Sequence, residues 1–227
     1  MNEQYVVVGS HDWTDQIFDE VICFYPGTWT YISDPAVLTL ETLSKIQPNL
    51  VFFLHWSLKV PSNITSSFEC VGFHMTDLPY GRGGTPLQNL ILRGHQNTKL
   101  SAFKLVDEMD AGPIYLKTDL SLEGSAEEIY FRTSYAAADM IRRLIEEKCT
   151  PKPQVGTPTI FNRRTAEQSR LSAVSTLNDL YDFVRMLDAP GYPHAFLEHG
   201  PYRFELFDVV KSDKELTARV RIVPRQP

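Results

Sequence analysis

Five consecutive apolar residues, Leu50 to Leu54, run directly into His55. A run this short and this uniformly apolar fits a strand covered on both faces, as at the centre of a parallel sheet. It is far too short to cross a bilayer. Its neighbours point the same way. Tyr5–Val8, Trp29–Ile32 and Phe68–Phe73 read as further strands. Between them, Asp15–Phe24 and Ala36–Ile46 carry apolar residues at helical spacing. Lys99–Val106 and Ile114–Leu120 read as two more strands around a turn at 107–112. Thr85-Pro86-Leu87-Gln88 and Ser125-Ala126-Glu127-Glu128 have the capping-box pattern, the second opening a long helix to about Glu147. Strands alternating with helices predict an α/β, Rossmann-like fold with a mostly parallel sheet.

The texture changes after Thr150, where three prolines and a glycine precede Ile160. A capped helix from Thr176 and three antiparallel strands, His194–His199, Tyr202–Val209 and Leu216–Val223, are expected beyond it. The organisation expected is a catalytic domain over 1–158 and a small C-terminal α+β module over 159–227. The net charge is −6 and no basic stripe is evident, which argues against a nucleic-acid partner. Three cysteines without a Cys-x-x-Cys motif read as reduced thiols. The opening residues lack a basic n-region, so no signal peptide, no membrane partner and a cytoplasmic location are expected.

The segment from Cys70 to Tyr115 carries the chemistry. His74 ends an apolar strand, a glycine-rich turn follows, and Asp110 sits on a tight turn between two later strands. An imidazole and a carboxylate on such ends can converge at one sheet edge and move a proton. No His-x-x-x-His or cysteine pair supports reading His55, His74 and Asp110 as metal ligands, so no metal is expected.

Residues 49–145 resemble the fold of the formyltransferases that use 10-formyltetrahydrofolate. Their signature is Asn-x-His-x-Ser-Leu-Leu-Pro, a basic glycine-containing turn and a later Asp-x-Gly. Here His74-Met75-Thr76-Asp77-Leu78-Pro79, Arg82-Gly83-Gly84-Thr85-Pro86 and Asp110-Ala111-Gly112 stand in those places, His74 and Asp110 being 36 positions apart as is usual in that family. The resemblance implies formyl transfer to an amine through a tetrahedral oxyanion, with His74 as donor and proton carrier and Asp110 orienting it. The family's Asn falls at Gly72, which has no side-chain donor. His55 is the expected substitute, as donor or as base for the amine. Trp56, Ser57, Leu58 and Lys59, with Val106, Asp107, Glu108 and Met109, are the expected folate-binding loops. Thr76, Asp77 and Arg82 are candidate substrate contacts, against the plainer readings of a solvated turn carboxylate for Asp77 and a structural guanidinium for Arg82.

Within this family the expected acceptor is a nucleotide-linked amino-dideoxy sugar, as in surface-polysaccharide synthesis of the pseudaminic acid type. The short module and the acidic chain count against methionyl-tRNA, and the presence of an extra module and the missing Asn count against glycinamide ribonucleotide. A folate or nucleotide-sugar binder without turnover, and a hydrolase releasing formate, are the rivals from other classes. The appended strands could pair across a homodimer.

Overall fold

In this computed structural model residues 3–171 and 174–225 are described. In chain order the first elements are β1 (Gln4–Val8), α1 (Asp12–Glu20), β2 (Thr28–Ile32), α2 (Leu40–Ile46), β3 (Leu50–Phe53), α3 (Ser62–Ser67), β4 (Cys70–His74), β5 (Arg82–Gly83) and α4 (Pro86–Ile91). Then come β6 (Asn97–Lys104), β7 (Ile114–Ser121), α5 (Ala126–Glu147), β8 (Ile160–Phe161), α6 (Leu177–Arg185), β9 (Ala195–His199), β10 (Tyr202–Lys211) and β11 (Leu216–Pro224). The chain forms two compact units, each discontinuous. The first comprises Met1–Gly83, Thr98–Leu120 and Phe131–Ile160, and the second Gly84–Asn97, Ser121–Tyr130 and Phe161–Pro227.

The first unit is built on a six-stranded sheet in the order β2-β1-β3-β4-β6-β7. β1 pairs in parallel with β2 and β3, and β3 in parallel with β4, while β4 and β6 run antiparallel. Right-handed crossovers through α1, α2 and α3 are what such parallel pairs require. Val6, Val8, Val51, Phe53 and Cys70 turn one face of the sheet onto Leu38, Leu43 and Ile64. Val7 and Phe52, on the opposite face, are also wholly buried. Burial of both faces explains the unbroken apolar run of β3, and each such side chain contributes about 1.5–3 kcal/mol.

Several boundaries differ from those the periodicity predicts. α1 starts at Asp12 and ends at Glu20, with a 3-10 turn over Ile22–Phe24 completing the expected span. α2 begins only at Leu40, because Thr39 accepts a hydrogen bond from Thr42 N and caps it there. α3, Ser-Asn-Ile-Thr-Ser-Ser, carries one apolar residue and so no periodicity to detect.

The second unit contains α4, α6 and the antiparallel sheet β11-β10-β9, so the three appended strands form as expected. The Ser125 capping box forms as well: Glu128 N donates to Ser125 Oγ, and Ser125 N to Glu128 Oε2. The Thr85 box does not. Thr85 sits at φ +46° and its side chain caps no backbone N–H of α4; its Oγ1 accepts instead from Arg164 N and from the Asn89 side chain. Gln88, expected to complete the box, is buried and donates to Tyr130 Oη and Met186 O.

Candidate active site

The carboxyl ends of β3 and β4 place the candidate residues. Phe53 is in register with Gly72, and His55 and His74 each follow that pair by two positions. In parallel sheets this edge is where ligands are bound and chemistry is done. His74 is buried. Its Nε2 lies 2.7 Å from Gly81 O, which only accepts, so Nε2 carries a proton and donates it. Its Nδ1 lies 3.7 Å from Asp110 Oδ2, within ion-pair reach but beyond a hydrogen bond. Both neighbours of the ring are acceptors.

Asp110 is held by backbone geometry. It occupies left-handed space at φ +52°, which costs a non-glycine residue free energy and is retained where surrounding contacts enforce it. Its Oδ2 accepts from Gly83 N at 2.9 Å. Two residues on, a Cβ on Gly112 would stand 1.7 Å from Lys104 O, so only glycine lets the loop close against β6. The carbonyls of Asp110 and Gly112 both accept from Gln154 Nε2, at 2.7 and 2.8 Å.

Gly72 leaves no vacancy for a side chain. A Cβ there would meet Leu105 Cδ2 at 2.7 Å and Phe103 Cε1 at 3.0 Å. Hydrocarbon therefore occupies the space where the resembled family has its Asn. His55, at φ +48°, bonds Ser134 Oγ through Nε2 at 2.9 Å and meets the Trp13 ring edge-on at 5.8 Å between centroids. Burial, with a smaller contribution from nearby His11, pushes its pKa down to about 3. The ring is neutral at physiological pH, and so weak a base is poorly matched to accepting a proton from an amine. Ser134 and Trp13 had no motif to announce them.

The two expected folate loops differ in exposure. Trp56 is half-buried, its ring edge-on to Phe53, and Ser57, Leu58 and Lys59 are exposed. Val106, Asp107, Glu108 and Met109 are exposed as well, Met109 to 69%. Leu58, on the loop after β3, and Val106 and Met109, on the loop after β6, are thus apolar side chains presented to solvent. Thr76 is fully buried and its carbonyl accepts from Ser101 Oγ. Asp77 pairs with Lys117 at 2.5 Å. Arg82 donates from Nε and Nη2 to Gln154 Oε1, and from Nη1 to Glu108. Among the described residues no cluster of three or more His, Cys, Asp or Glu side chains is disposed to hold a metal ion. No described helix is long and apolar enough to cross a membrane.

Comparison with known proteins places this geometry. A family described as methionyl-tRNA formyltransferase, C-terminal domain, matches residues 166–223. A solved structure named methionyl-tRNA formyltransferase from Clostridium thermocellum is 40% identical with a TM-score of 0.93, covering 98% of this chain and 100% of that one. A curated methionyl-tRNA formyltransferase of Campylobacter lari is 24% identical over 81% of this chain, which spans 60% of that relative's length. A sugar N-formyltransferase from a Shewanella species shares 16% identity, with a TM-score of 0.67 over 99% of both chains, a likeness of fold alone. These findings overturn the expected nucleotide-sugar acceptor and its polysaccharide pathway. They equally remove the ground for excluding nucleic acid, since the C. thermocellum relative is matched along the whole of its chain, short C-terminal module included. The α/β sheet, the appended antiparallel module and the full-length likeness together establish that the chain belongs to the formyltransferase family.

Proposed function

We propose that the chain transfers a formyl group from 10-formyltetrahydrofolate to the amino group of an aminoacyl-tRNA of the methionyl type. The observation that carries the reaction class is the His74–Asp110 pair at the carboxyl edge of the sheet. The full-length likeness to the C. thermocellum protein supports the acceptor. The donor supplies an activated one-carbon unit. The amine nitrogen bonds to the formyl carbon, the bond from that carbon to the folate nitrogen breaks, and one proton passes from the amine to the folate nitrogen. His74 and Asp110 hold and move that proton. The Nε2–H of His74, given to Gly81 O in this structure, is the donor that a developing oxyanion would compete for.

His55 serves as a neutral donor rather than a base. The neutral ring carries one N–H, which it can donate, and Nε2 shares a hydrogen bond with the Ser134 hydroxyl at 2.9 Å. A neutral imidazole used as a hydrogen-bond donor has precedent in enzymes. Loss of an oxyanion donor costs about 2.7–4 kcal/mol, or 10²–10³ in turnover. His55→Ala is therefore expected to lower kcat about 100-fold, and turnover within about twofold of wild type would remove His55 from this role.

The acceptor is tested by incubating the purified protein and 10-formyltetrahydrofolate with charged methionyl-tRNA, with glycinamide ribonucleotide, or with no acceptor. A formyl mass gain on the methionyl group is expected. Formylation of glycinamide ribonucleotide alone, or formate release without any transfer, would overturn the reading.

A further inference from the structure

The Asp110 loop depends on a side chain outside every motif of the site. Gln154 lies in the proline-rich stretch after α5, between Pro153 and Val155, and is half-buried. Its carboxamide makes four hydrogen bonds. Nε2 donates to Asp110 O at 2.7 Å and Gly112 O at 2.8 Å. Oε1 accepts from Arg82 Nη2 at 2.8 Å and Nε at 3.1 Å. The orientation of the amide is dictated by its neighbours, because carbonyls only accept and a guanidinium only donates. No other neutral side chain of this length offers two donors and an acceptor in one plane.

These bonds close a ring of contacts. The Asp110 carboxylate is held by Gly83 N, Gly83 follows Arg82, the Arg82 guanidinium holds Gln154, and Gln154 holds the Asp110 carbonyl. Asp110 at φ +52° is not a conformation its own backbone prefers, so outside contacts must hold it. Lys152, two residues before Gln154, exchanges backbone hydrogen bonds with Ile114 at 2.7 and 2.8 Å, which anchors the stretch beside the start of β7. We infer that Gln154 is the positioning residue that fixes the Asp110 carboxylate against His74, and that the segment after α5 is part of the catalytic apparatus through it.

The inference rests on the proposed formyl transfer, and its test separates the two. Gln154→Leu removes all four bonds. Gln154→Glu keeps the pairing with Arg82 but sets a carboxylate against two carbonyl oxygens. For both variants kcat is expected to fall about 10- to 100-fold, the scale of a misplacement near 1 Å. In an Asp110→Asn background Gln154→Leu is expected to cost less than about twofold more, because groups that act as one unit are not additive. An equal loss in both backgrounds would overturn the inference. Crystal structures of the two variants give a readout free of activity: the 107–112 loop shifts and Asp110 Oδ2 moves beyond 3.7 Å from His74 Nδ1, while His74 keeps its bond to Gly81. An unmoved loop in Gln154→Glu, which preserves side-chain volume should Gln154→Leu fail to fold, would refute the role even if no acceptor were ever formylated. Absence of transfer in the wild-type protein, with a displaced loop in the variants, would instead count against the proposed reaction alone.

Discussion

At Gly72 the difference from the resembled signature is a matter of volume as well as of a missing donor. Placing Asn there drives a Cβ onto Leu105 and Phe103, both at or under 3.0 Å. Gly72→Asn is expected to lose about 1–3 kcal/mol of stability by overpacking, read as a lower denaturation midpoint, with no gain in turnover. Gly72→Asn combined with Leu105→Ala clears the nearest atom, and that double variant is expected to turn over faster than the single one. His55 sets a pH dependence. Its folded pKa near 3 lies below the ordinary histidine value near 6.5, so between those values the unfolded chain binds a proton that the folded chain does not. Stability therefore falls on acidification through that window. The slope of Tm against pH from 6.5 to 4 is expected to flatten in His55→Gln. His74, Asp110 and the substitution at 72 were legible in the sequence because a strand end, a turn and a spacing announced them. Leu105 over Gly72 was not, since it depends on the antiparallel pairing of β4 with β6.

Among the elements, the two capping boxes show why one pattern has two outcomes. Ser125 and Glu128 close on each other. Gln88 has other partners, and a buried amide serving Tyr130 and Met186 is worth more than a cap in solvent. Ser125→Ala is expected to cost about 1 kcal/mol, and Gln88→Leu about 1–3 kcal/mol because a buried carbonyl loses its donor; chemical denaturation of both variants checks the order. The sheet was readable from β-branched and aromatic runs because both its faces are buried. α3 was unreadable because a single turn with one apolar side chain leaves no period. The stretch holding Gln154 was read only as a crossing, since its importance lies in partners 40 and more positions away.

Across the whole molecule, net charge misled because it is a sum. Residues 159–227 hold ten Lys and Arg against nine Asp and Glu, while residues 1–158 hold twelve against nineteen. The appended module is thus close to neutral beside a strongly acidic remainder, and an overall −6 does not describe it. If tRNA is the acceptor, counterion release should govern its binding. For about two phosphate contacts, KM for the tRNA is expected to rise about tenfold between 50 and 200 mM salt, whereas KM for the folate donor should move far less. Steady-state kinetics at a series of salt concentrations reads this directly.

The second unit is drawn from three separated lengths of polypeptide. No single cut can release it. A tail excised at Phe161 would leave behind Gln88, which serves the Met186 carbonyl, and Leu122 and Gly124, whose carbonyls receive the Arg185 guanidinium. Chimeras that exchange only the terminal stretch between relatives would therefore graft orphaned polar groups into a foreign host. A working transplant has to carry Gly84–Asn97 and Ser121–Tyr130 along with it.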